Sequence, residues 1–151
     1  MRFEQVKDVL HHVIDFHKAL ASDYRKLAGE AKDERVRLLL RYLADHENKM
    51  RQGLARYTEG EAHNVLDTWM QNTPYLEQPH VMEELRQCLA CTTVEDIATT
   101  AERIHTTLEH LYRELVSASE IDEERELFQS LADFQNAEIR RLVRNTARMD
   151  F

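Results

Sequence analysis

The sequence predicts an all-α fold, a four-helix bundle of two antiparallel helix hairpins joined by a long, partly helical crossover. Three observations carry this. Gly (3) and Pro (2) are scarce in 151 residues, while Leu, Ala, Glu, Arg and Gln abound, a mix that favours helix almost throughout. Four runs of residues alternate spacings of four and three, the seam of a helix packed on other helices. Two pairs of these runs are separated by connections so short that each pair must fold back as an antiparallel hairpin. The length suits one domain spanning residues 1–151, with a core that needs no staples.

The first helix runs from about Phe3 to Gly29, with the seam Val6, Leu10, Val13, His17, Leu20, Tyr24, Leu27. Gly29 and Ala31-Lys32-Asp33 make the turn. The second runs from about Asp33 to Thr58, with the seam Val36, Leu40, Leu43, Glu47, Met50, Leu54, Tyr57. Gly60 suits its C-terminal cap. The first hairpin thus covers about 3–60.

Residues 61–92 form the crossover. Asn64 caps a short helix through Trp69, Asn72-Thr73-Pro74 and Gln78-Pro79 break it, and His80 to Leu89 reads as another short helix. Trp69 and Met70 are expected to pin the crossover to the bundle.

The third helix opens at Thr92 or Thr93, with Glu95 and Asp96 placed for a capping box. It runs to about Ser119 along Val94, Ala98, Ala101, His105, Leu108, Tyr112, Leu115. The fourth runs from about Asp122 to Thr146 along Phe128, Leu131, Gln135, Glu138, Leu142. The second hairpin covers about 93–147. A shift that carries His17 onto His105 also carries Tyr24-Arg25 onto Tyr112-Arg113 and Leu43-Ala44-Asp45 onto Leu131-Ala132-Asp133 without a gap. That match predicts a duplicated hairpin.

Net charge is −8, which argues against unaided binding to nucleic acid or an anionic membrane. Arg140, Arg141, Arg144 and Arg148 are locally basic and suit a helix C-terminus. No apolar run is long enough to span a membrane, and Met1-Arg2-Phe3-Glu4 does not open a signal peptide. The expected compartment is the cytoplasm. No Ser-His-Asp order or phosphate-cradling glycine loop is present.

The informative feature is polar. His17, Glu47, His105 and Glu138 each stand where a seam should carry an apolar side chain. His17 and Glu47 lie about equally far from the first turn, as do His105 and Gln135 from the second, with Glu138 one turn further. The interruptions therefore form one layer across the bundle. A buried carboxylate without a partner costs several kcal/mol or loses its charge. The layer is a closed hydrogen-bonded network, a metal site, or a sign that the seam is rotated and some of these groups face water.

The stretch Asp23-Tyr24-Arg25-Lys26-Leu27-Ala28 through Leu43-Ala44-Asp45-His46-Glu47 resembles the first hairpin of the ferritin-like superfamily, most of all its rubrerythrin-type members. Leu111-Tyr112-Arg113-Glu114-Leu115 to Leu131-Ala132-Asp133 resembles the second. The resemblance implies a di-metal site in which Glu47 matches the bridging glutamate of the second helix. His17 stands for the glutamate of the first helix and Met50 for the histidine of Glu-x-x-His. His105 stands for the glutamate of the third helix, Gln135 for that of the fourth, and Glu138 for its histidine. With Glu47 alone keeping the family's residue type, the implied site is altered. His17, Glu47, His105 and Glu138 are the expected ligands of an iron, zinc or manganese ion. Met50 and Gln135 occupy vestigial positions, and Tyr24 and Tyr112 lie beside the ligands.

Two functions follow as expectations. One is a metal-binding protein with a degenerate carboxylate–histidine site, related to iron- or peroxide-dependent oxidoreductases. The other is a non-catalytic scaffold that has lost its metal and pairs as a homodimer. Phe16, Leu38, Leu111 and Phe134 widen the apolar face enough to suit the crossover or a second subunit. Cys88 and Cys91 form a single C-x-x-C, read as structural thiols ahead of a redox pair. His11 and His12 point about 100° apart and cannot both face the core. His46 neighbours Glu47, from where it can reach the layer's edge, but is expected first at solvent or an interface, and His63, His80 and His110 at the surface.

Overall fold

The computed structural model describes residues 3–60, 64–74 and 93–149. Helices α1 (Val6–Glu30) and α2 (Glu34–Glu59) form one hairpin, and α3 (Val94–Ala118) and α4 (Asp122–Ala147) form the other. Local chemistry sets the helix starts. The Asp33 carboxylate accepts the Arg35 backbone N–H at 2.8 Å. Thr93 and Asp96 exchange reciprocal bonds of 3.1 and 3.3 Å, a capping box that satisfies two otherwise orphaned donors. Among the described residues no helix is long and apolar enough to cross a membrane.

Residues 3–5 are not helical. Phe3–Gln5 is strand β1, paired antiparallel with β2 (Trp69–Gln71), with Phe3 opposite Gln71. The reason is a cap: the Gln5 backbone N–H donates to the Asp8 carboxylate at 3.1 Å, fixing the first helical residue at Val6. The residues upstream are then free to pair, and Thr73 Oγ1 secures them by donating to Glu4 Oε2 at 2.6 Å. The short helix expected at Asn64–Trp69 is one 3-10 turn, Asn64–Asp67, followed by β2. Strand geometry sends neighbouring side chains to opposite faces. Met70 is therefore buried in the core, while Trp69 is 62 % exposed and pins nothing. The helix expected from His80 to Leu89, the pair Cys88 and Cys91, and His63 lie outside the described residues.

The core runs the length of the bundle through Leu10, Leu20, Tyr24, Leu39, Leu43, Ile97, Leu108, Leu115 and Phe128. In α4 the inward stripe is Glu124, Phe128, Ala132, Gln135 and Leu142, so Leu131 and Glu138 are rotated off the expected seam. In α2 the fully buried stripe ends at Glu47, and Met50, Leu54 and Tyr57 are only half-buried. Of the residues expected to widen the apolar face, Phe16 and Leu111 are buried, whereas Leu38 and Phe134 are exposed.

One buried acid ties the loop to the second hairpin. Glu124, in the first turn of α4, accepts the Glu120 backbone N–H at 3.3 Å. Its Oε2 lies 2.7 Å from Thr68 Oγ1, a hydroxyl shared with Val65 O at the same distance. Thr68→Val keeps the shape and removes this link from a buried carboxylate. It is expected to lower unfolding free energy by about 1–3 kcal/mol, read as a lower urea midpoint at unchanged slope.

Candidate metal centre

His17 of α1, Glu47 of α2, His105 of α3 and Gln135 of α4 are all fully buried. The Glu47 carboxylate lies between the two imidazoles. Oε2 accepts from His17 Nδ1 at 2.5 Å, and Oε1 accepts from His105 Nε2. His17 and Glu47 belong to one hairpin and His105 to the other, so a single carboxylate holds the hairpins at a common depth. Gln135 lies in the fourth helix's inward stripe, and neither atom of its amide has a hydrogen-bond partner among the described residues.

His46 belongs with this layer. It is next to Glu47 on α2 and so points about 100° away from it, toward the flank between α2 and α4. Its side chain is 16 % exposed, and Nε2 lies 3.5 Å from Glu138 Oε2. Tyr42, one turn earlier, stacks on its ring at 6.3 Å, and the His105 ring is 5.8 Å away. One ligand-capable atom from each of His46, Glu47 and His105 lies within 4.8 Å of the others. Glu138 stands outside that trio, because α4 turns Gln135 inward in its place. Its carboxylate faces His46 and, at 3.8 Å, Arg141. Met50 is half-buried, and Tyr24 and Tyr112 are buried. His11 and His110 are exposed, and His12 pairs with Glu4 at 2.9 Å. The sequence signal for His46 was its place beside Glu47, with an aromatic one turn before it.

Burial alone would push the Glu47 carboxyl up. The His105 charge, with hydrogen bonds from both histidines, reverses this and holds it far below the usual carboxylate range. Burial works against a charged His105, but the Glu47 charge and hydrogen bond, helped by Glu138, raise it above its ordinary value. Burial pushes His46 down, against the pull of Glu47. Burial, then the Glu47 charge, also pushes the Tyr112 hydroxyl up.

The donor set fits one metal ion. Nδ1 of His105 and Nε2 of His17 have no hydrogen-bond partner among the described residues. A protonated His105 therefore keeps an N–H in the dry interior without an acceptor, a cost of about 1–3 kcal/mol. A neutral His105 instead leaves one ring nitrogen as a bare lone pair, the form in which imidazole ligates a metal. Imidazole with carboxylate suits zinc, iron or manganese. A pair of ions does not fit as well: Glu47 is the one fully buried carboxylate of the layer, and Glu138 stands at its edge.

No family model matches the chain, and no curated protein matches it. Among solved structures, one of a Thermotoga maritima protein provisionally described as ferritin-like diiron-carboxylate is similar over 97 % of this chain and 97 % of its own. The TM-score is 0.65 and the identity 19 %. At that identity the likeness is one of fold, and the fold is ferritin-like.

The opposed shifts of Glu47 and His105 predict a stability window for the metal-free protein. Glu47, depressed below 4.5, contributes stability that is present above that pH and lost as pH falls through its folded value. His105, raised above 6.5, contributes stability that is full below that pH and lost as pH rises through its folded value. Thermal unfolding in chelator should therefore peak between these limits and decline on both sides. A melting temperature still rising well above pH 7 would contradict the assignment.

Proposed function

We propose that this ferritin-like bundle binds one divalent transition-metal ion, held by His105, Glu47 and His46. The observation that carries the reading is the convergence of three ligand-capable atoms within 4.8 Å, in a layer where two of the three residues are fully buried. His17 then orients the other oxygen of Glu47, as an outer partner commonly does for a ligating carboxylate. Glu138 stands near enough to His46 to complete the charge balance. Iron is the favoured ion, because the similar Thermotoga maritima fold is described as a diiron-carboxylate protein, an argument from analogy of fold. The likeness of both hairpins to rubrerythrin-type members supports the same choice. Iron would supply redox chemistry with dioxygen or peroxide. The chain's own part is to exclude bulk water through the apolar core around the layer and to leave one side, at His46 and Glu138, open to approach.

One observation favours a second reading, a bundle that has lost its metal. Both Glu47 oxygens already have imidazole partners, so the layer can close on itself as a hydrogen-bonded network. The two readings separate on metal content. Protein purified without chelator should carry about one iron, zinc or manganese ion per chain. His105→Ala and Glu47→Gln should each lose most of it, with helical content retained. Equal and negligible metal in all three would establish the network reading and remove the ion site.

A further inference from the structure

Beside the polar layer, between α2 and α4, lies a cavity of about 440 Å³. That is the size of a small-molecule site, usually about 300–1,000 Å³. Its walls are apolar, supplied by Met50, Leu54, Leu127, Leu131 and Phe134, with Tyr57 and Tyr112 adding aromatic surface. Gln135 also lines it. This residue is fully buried, yet its amide oxygen and nitrogen both lack a hydrogen-bond partner among the described residues. Buried amides are nearly always paired. An amide presents an acceptor and donors together, so a group that also gives and accepts, such as a hydroxyl, can satisfy it.

A second observation concerns Gly53, which lines the same cavity from the middle of α2. Glycine is unfavourable inside a helix. No close backbone contact explains it, because a Cβ built there would meet nothing within 4 Å. What glycine leaves at this position is open volume along the cavity wall. His46 and Glu138 also line the cavity, together with Lys49 and Arg141, whose charges oppose that of the Glu138 carboxylate.

The geometry points to a binding site for a small aromatic alcohol of the phenol class. Its ring lies among the apolar walls and its hydroxyl on the Gln135 amide. Such a ligand would sit next to the proposed ion, but the residues that bind it are in place with or without metal.

The test is a fluorescence titration of the metal-stripped full chain with β-naphthol and with naphthalene, its analogue without the hydroxyl. The wild type should bind β-naphthol saturably. Gln135→Leu, which replaces the amide by an apolar group of similar size, should lower the β-naphthol-to-naphthalene affinity ratio about tenfold, the worth of one hydrogen bond. Gly53→Phe, made on an exposed helix face and filling the wall, should abolish binding of both. Absence of saturable binding to the wild type, an unchanged ratio in Gln135→Leu, or retained binding in a folded Gly53→Phe would each overturn the site. Metal titration of the same preparations reports the ion separately, so failure of one reading leaves the other standing.

Discussion

The structure depends on one buried carboxylate. Glu47 has no exposure to water, and an ionised acid in that position is tolerable only if its charge and its lone pairs are met. His17 meets one oxygen from within the same hairpin, and His105 meets the other from across the bundle. Shifting either hairpin along the bundle axis would break one of these contacts and strand a charge. The apolar seams by themselves would tolerate sliding by a turn, since leucine packs on leucine at many registers. The polar layer removes that freedom, which is the best-attested use of polar groups in helical cores.

The layer is also graded from dry to wet. His17, Glu47 and His105 are sealed in the interior. His46 and Glu138 stand on the flank, with side chains 16 % and 11 % exposed. Arg141 lies beyond them in solvent. The buried stripe of α2 ends at Glu47, and the residues after it, Met50, Leu54 and Tyr57, wall a cavity. The bundle is therefore tightly packed on one side of the layer and open on the other. That asymmetry makes the flank at His46 and Glu138 the less buried side of the layer.

Much of this was legible in the chain. The four helices follow from seam periodicity and scarce glycine, and the start of α3 from Thr93 and Asp96. The meeting of His17, Glu47 and His105 followed from their equal distances to the two turns. The rest depended on contacts that no local pattern carries. Strand β1 exists because Phe3 pairs with Gln71, far along the chain. The choice between Gln135 and Glu138 was ambiguous, because both fit an alternating four-and-three seam. The stripe through Glu124, Phe128, Ala132 and Gln135 decides it, and a charged residue heading that stripe hid it. Glu124 is buried with its oxygens met by Thr68, from the loop, and by the Glu120 backbone N–H. His46 reads as a surface histidine until α4 is placed opposite it.

The most direct test of a single interior ion is anomalous diffraction from crystals of the metal-loaded protein, collected at the edge of the bound element. The account predicts one peak per chain, about 2.0–2.2 Å from one donor atom each of His46, Glu47 and His105. No peak in the layer, two peaks bridged by Glu47, or metal confined to exposed histidines such as His11 would contradict it.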